Sequence, residues 1–189
     1  MEETARPDTT AVQTKNLFLL VFVYKTANNV SPNWSTLTAA LADAVSLTPL
    51  STSPILIQIY AVVYAEVNPL TIPAFVTVAS QTSAVGDVIV RPVAPAAASA
   101  MIITTGNACA HGFMVECSDG AGGYAIVGVQ SSGSSMSYDV LTYITVKNAM
   151  NACFKVTGSG ARNSHIVVSK SCGAIVDIPG FTVAVGIDC

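Results

Sequence analysis

After Pro54 the chain is a succession of short segments rich in Val and Ile, each closed off by Gly, Pro, Ser or Asn. This punctuation constrains the fold more than any other feature. Segments of this length are too short for a series of packed helices, and β-branched residues favour strands. The candidate strands are 55–67, 74–80, 87–93, 100–105, 112–117, 124–130, 140–147, 153–157, 165–170, 174–178 and 181–187. An earlier apolar stretch, 16–25, reads as one more buried strand. Many short strands at such spacing predict a β-sandwich or barrel.

One segment breaks the pattern. Ser31 can cap a helix and Pro32 suits its first turn, and Trp34, Leu37, Leu41 and Val45 recur at steps of three and four. This predicts a single short helix near residues 32–47, its stripe facing the core, ended by Thr48 and Pro49. Residues 1–15 are polar and read as an N-terminal arm, leaving 16–189 as one domain. No internal repeat at a fixed period is visible, and no linker is long enough to divide the chain.

The surface is the puzzle. Charged residues make up only 10% of the 189, with 8 Lys plus Arg against 11 Asp plus Glu. Mean hydropathy is +0.57, and 18 Ser and 18 Thr supply much of the polarity. Disorder requires the opposite balance. A conventional basic nucleic-acid binder is disfavoured by so few cations. No apolar run approaches the roughly 20 residues of a spanning helix, and Glu2, Glu3 and Asp8 stand where a secretory signal would be basic. The expectation is a protein without a membrane segment, made without export. So few charges predict faces covered by neighbours, in a large homo-oligomer.

Chemistry-bearing motifs are sparse. The five cysteines, Cys109, Cys117, Cys153, Cys172 and Cys189, show neither C-x-x-C nor a paired Cys/His zinc pattern. They read as buried, reduced thiols, and no metal or cofactor is expected. His111 and His165 read as a strand-edge and a loop residue, with pH sensing at subunit contacts as the functional alternative. Asn33-Trp34-Ser35 matches a glycosylation sequon that would stay unmodified without export. Gly158-Ser159-Gly160 lacks a P-loop lysine. Glu116, Asp119, Asp177 and Asp188 form no recognisable acid/base pair. Asp119-Gly120-Ala121-Gly122-Gly123 resembles the nucleophile segment of trypsin-like proteases, with Ala121 in place of the serine. Alanine cannot attack a carbonyl, so a tight glycine turn is the better reading, and no catalytic residue is expected.

The order of elements carries a further resemblance. A polar arm, an apolar strand, one short helix, a long strand and a run of short strands are similar to the layout of single jelly-roll coat proteins of small icosahedral viruses. The segment 53–85, with Gln81-Thr82-Ser83 at its turn, resembles tymovirus coat proteins in style. The resemblance implies an all-β, antiparallel jelly-roll sandwich that self-assembles into a shell around nucleic acid, located in the virion after assembly inside the host cell. Its partners would be copies of itself and, weakly and non-specifically, nucleic acid, with Arg6 and Lys15 as the arm's phosphate contacts. The alternative of a different class is a β-sandwich recognition or adhesion module, such as a spike or fibre domain. A degenerate protease-like barrel is the third.

Overall fold

The computed structural model describes residues 19–23, 33–82, 84, 86–94, 99–132, 139–157, 165–171 and 176–177. Arg6 and Lys15, the helix-start residues Ser31 and Pro32, Cys172, Cys189 and the expected strand 181–187 lie outside them. The described elements are β1 (Leu19–Val23), β2 (Asn33–Trp34), α1 (Leu37–Ser46), β3 (Ile55–Ile59), β4 (Val63–Glu66), β5 (Leu70–Ile72), β6 (Val76–Ser80), β7 (Ile89–Pro92) and β8 (Ala100–Thr104). They continue with β9 (Cys109–His111), β10 (Met114–Glu116), β11 (Val127–Ser131), β12 (Val140–Lys147), β13 (Ala152–Val156), β14 (His165–Ser171) and β15 (Val176–Asp177).

Every ladder between these strands is parallel. Consecutive strands of one turn do not pair with each other. Instead β3 pairs with β6, β4 with β7 and β5 with β8, so each strand meets its counterpart one turn further along the chain. The same rule carries β6 to β9, β7 to β10 and β8 to β11. The backbone therefore winds in coils of three strands, β3-β4-β5, β6-β7-β8 and β9-β10-β11, stacked on one another. Further along, β12 runs unbroken round one corner. Its first half pairs with β9 and its second half with β10. This merges the first two faces into a curled sheet, β2-β1-β3-β6-β9-β12-β10-β7-β4 with β14 on β12, while β15-β13-β11-β8-β5 forms the third face.

This arrangement overturns the antiparallel jelly-roll. By strand sense the chain is parallel sheet plus one helix, an α/β type of layout, but the described strands from β3 onward are joined through other strands and loops rather than crossover helices. It is a three-faced parallel β-solenoid. Val- and Ile-rich segments between Gly, Pro, Ser and Asn locate most of the strands, yet that composition is favoured in parallel and antiparallel pairs alike. It carries no information on sense.

The core lies inside the coils, as ladders of apolar side chains. Ile57, Val78, Ala110 and Leu141 stack from the first face. Tyr64, Val90, Val115 and Val146 stack from the second. Leu70, Ile102, Val129 and Phe154 stack from the third. All are buried, and full burial of such side chains contributes about 1.5–3 kcal/mol each.

A stack of coils must be closed at its ends, or its last ladder is left exposed. Helix α1 does this at the N-terminal end, where it packs on β1 through β5. It begins at Leu37, not at residue 32. Thr36 is the N-cap, its hydroxyl accepting from the Ala39 N–H at 3.2 Å. The buried face is Leu37, Ala40, Leu41 and Ala44. Trp34 stands on β2 and packs half-buried against the core, while Val45 is 55% exposed. Two further expectations change: 55–67 is two strands with a corner between them, and His165 opens β14 rather than lying in a loop.

Candidate binding face

The outward positions of the first face alternate with its core ladder. Two outward columns run across the coils. One is Leu56, Thr77, Cys109 and Val140; the other is Gln58, Ala79, His111 and Thr142. None of these eight residues is Asp, Glu, Lys or Arg. The other faces differ. Ala65 and Arg91 share one level of the second face, and Glu116 and Lys147 pair on that face. On the third, Thr71, Ile103, Gln130 and Lys155 share a column.

At the corner where the first face turns into the second stands Tyr143. Thr142 is paired with His111, and Thr145 with Met114. Tyr143 therefore occupies the level that Gly112 holds one coil earlier. Both have positive φ, 52° for Tyr143 and 79° for Gly112. Glycine adopts this region without cost, whereas a bulky side chain is strained there. The pairing of β12 with β14 is also irregular between Thr142 and Thr145. This bulge turns the Tyr143 side chain outward, to 57% exposure, where strict alternation after Leu141 would bury it.

The neighbours of Tyr143 are fixed. The His111 and Tyr143 rings meet edge to face, centroids 5.4 Å apart and planes at 89°. His111 Nδ1 and Thr142 Oγ1 are 2.6 Å apart in a hydrogen bond. The Gly112 N–H donates to the Thr142 carbonyl at 3.1 Å, which locks the two coils together at the corner.

Cys109 lies two residues before His111 on the same face. Burial pushes its thiol pKa up; a hydrogen bond with Thr77 acts against this, and the charge of Asp139 adds to the rise. A thiolate nucleophile needs the reverse shift. Asp139 itself is buried beneath the face. Its Oδ2 accepts from the Thr104 hydroxyl at 2.7 Å and from the Ser131 hydroxyl, and its Oδ1 from the Ala108 N–H at 3.1 Å. One carboxylate thus ties the ends of β8 and β11 to the start of β9, a holding role.

Two of the other carboxylates singled out in the sequence, Asp119 and Glu116, are also engaged structurally, while Asp188 lies outside the described residues. Asp119 Oδ1 accepts from the Ala121 and Gly123 N–H groups at 2.7 and 2.9 Å. The protease-like segment is therefore a carboxylate-capped turn between β10 and β11, with Gly120 and Gly122 at positive φ. Glu116 Oε1 accepts from the Ser118 N–H and from Asn148 Nδ2. Cys117 and Cys153 are buried thiols. Among the described residues no group of three His, Cys, Asp or Glu side chains could hold a metal ion, and no helix is long and apolar enough to cross a membrane.

Sequence reasoning singled out His111 and Cys109 but missed Tyr143 and Thr142. One signal was available. In Leu141-Thr142-Tyr143-Ile144, strict alternation cannot bury both Leu141 and Ile144, yet both are buried. No protein-family model, no curated protein and no solved structure matches this chain.

Proposed function

We propose that this chain is a non-catalytic recognition module whose binding surface is the first face of the solenoid. The observation that carries the reading is the outward composition of that face: eight uncharged residues in two columns, ending at a strained, exposed tyrosine. Ordinary soluble domains are about one quarter charged, and contiguous exposed apolar area marks an interaction site; here Leu56, Ala79 and Val140 set apolar area between uncharged polar side chains. The coat-protein expectation rested on a jelly-roll layout, which the parallel strands remove, and on the low charge, which stays. The alternative expected a β-sandwich recognition module; the sandwich falls with the same finding, and what carries over is a rigid β scaffold presenting a surface.

The scaffold suits the task. Sites held on strands are positioned more firmly than sites on loops. Stacked coils repeat about every 4.8 Å, so the two columns form a long, flat track for an elongated partner.

The test uses the full chain on printed arrays of glycans and extended peptides, with Ala79→Lys as the probe. Ala79 lies mid-face, and a lysine there places a charge and a long side chain on the track. Ala65→Lys, on the second face, is the control. The expected result is binding to at least one ligand that is lost in Ala79→Lys and kept in Ala65→Lys. Failure to bind on either array contradicts the proposal. So does a large closed particle whose assembly Ala79→Lys blocks, because the face would then be a contact between copies.

A further inference from the structure

Resting on the first face as a recognition surface, we infer that its ligand is a neutral glycan chain, with Tyr143 as the stacking platform for one sugar ring. Gly112 satisfies the left-handed backbone of the corner level one coil earlier, whereas Tyr143 fills the same level at positive φ. The fold does not need the tyrosine there, and the ring is not repaid by burial, since more than half of it is exposed. Thr48, Phe75, Asn107 and Asn148 also have positive φ, so what singles out Tyr143 is an aromatic ring that is both strained and mostly exposed, a combination that packing does not explain.

The ring's setting then narrows the ligand. One tyrosine face carries partial negative charge and attracts the weakly positive C–H groups of a pyranose. The perpendicular His111 ring holds it by an edge contact, and Thr142 holds His111. Thr142 adjoins the platform, and Thr77 and Gln58 lie two and three ladder steps further along the track; their hydroxyl and amide groups can both donate and accept, which is what the hydroxyls of an elongated glycan require.

Charge excludes the rival polymers. A nucleic acid strand also stacks on aromatic rings, but it needs cations along its backbone. The outward columns of the first face hold none; of the described cations, Arg91, Lys147 and Lys155 lie on the other two faces, and Lys170 of β14 pairs with Thr145 in the second-face half of β12. An acidic polysaccharide lacks a counter-charge for the same reason. An extended peptide gains most of its affinity from pairing with a free sheet edge, and Tyr143 stands at a corner within the sheet, its strand β12 flanked by β9, β10 and β14.

The experiment is affinity electrophoresis of the full chain. The gels contain neutral polysaccharides (a β-glucan, a mannan and a galactan), polygalacturonate, heparin or single-stranded RNA. Four proteins are compared: wild type, Tyr143→Phe, Tyr143→Ala and Tyr143→Gly. The glycine variant relieves the positive φ, so it should fold at least as stably as wild type. We expect retention by at least one neutral polymer and by none of the charged ones. Tyr143→Phe should bind within about twofold of wild type, and Tyr143→Ala and Tyr143→Gly should lose at least about tenfold. Three results overturn the inference: no retention by a neutral polymer, tighter retention by a charged one, or undiminished binding by Tyr143→Gly. If the neutral panel fails while a peptide still binds in a manner sensitive to Ala79→Lys, the glycan inference falls and the recognition reading stands.

Discussion

Asp139 shows how the few charges of this chain are used. It is buried, and its two oxygens serve three donors from three neighbouring strand ends. Asp139→Ala strands two hydroxyls and an N–H in the interior, which should lower stability by about 2–4 kcal/mol. Urea denaturation measures the loss, and an unchanged midpoint would contradict the role. Gly128 is a second point of close approach. A Cβ there would lie 2.3 Å from Val146 Cγ1 and 2.7 Å from the Cys153 carbonyl oxygen. Gly128→Ala should therefore destabilise by about 1–3 kcal/mol, the opposite of the usual gain at an unstrained site. Cys117 gives a pH prediction. Burial, and then the proximity of Cys153 and Glu116, push its thiol from 9.0 up to about 12. Between those pH values the unfolded chain releases the proton while the folded chain keeps it, so stability must fall as pH rises. The contribution is complete below pH 9. Denaturation of wild type and Cys117→Ala between pH 8 and 11 should show a steeper alkaline decline in the wild type; parallel curves would refute it. At this scale the sequence was partly legible. Buried thiols at Cys117 and Cys153 follow from the lack of any metal or redox spacing, but nothing local reveals that Asp139 has three donors drawn from residues 8 to 35 positions away.

Helix α1 was legible in existence and not in its boundary or face. Trp34, Leu37, Leu41 and Val45 fit one stripe, but the inward stripe is Leu37, Ala40, Leu41 and Ala44. Small alanines let the helix sit close on the coil, and an apolar count that favours large residues overlooks them. The start was misplaced because its main cap is not local. Glu66 on β4 accepts from the Leu37 N–H at 2.6 Å, the Thr38 N–H at 3.2 Å and the Thr38 hydroxyl at 2.6 Å. A carboxylate there also meets the positive end of the helix dipole. Glu66→Gln should cost about 1 kcal/mol by losing the charge and part of the cap. Glu66→Ala should cost about 2–3 kcal/mol by leaving buried N–H groups unpaired. Equal stability of the two variants, by thermal or urea unfolding, would refute this reading of Glu66. The strands fared better: the Val- and Ile-rich segments coincide with most of them, but the reading fuses β3 with β4 and passes over β5 and β9, which lack a run of β-branched residues long enough to stand out.

For the molecule as a whole, the repeat was the missing key. Leu56, Thr77, Cys109, Val140 and His165 occupy one column of the first face. Their spacings in sequence are 21, 32, 31 and 25 residues, read from those numbers. Corner loops of unequal length absorb the difference, so a search at fixed period finds nothing although the coils stack in register. A chain of short strands without visible repeats then resembles a sandwich. The low charge predicts faces covered by neighbours, and the stacked coils place eight uncharged residues on one track. All of this depends on parallel stacking. The most direct test is the distance between spin labels at positions 71 and 155 of the third face, with the native cysteines replaced. The labels are 84 residues apart in sequence but only three ladder steps apart in space, linked through Ile103 and Gln130. The solenoid predicts a backbone separation of about 14 Å, hence strong dipolar broadening; labels more than about 25 Å apart would be incompatible with three steps of that ladder and would contradict the stacked coils.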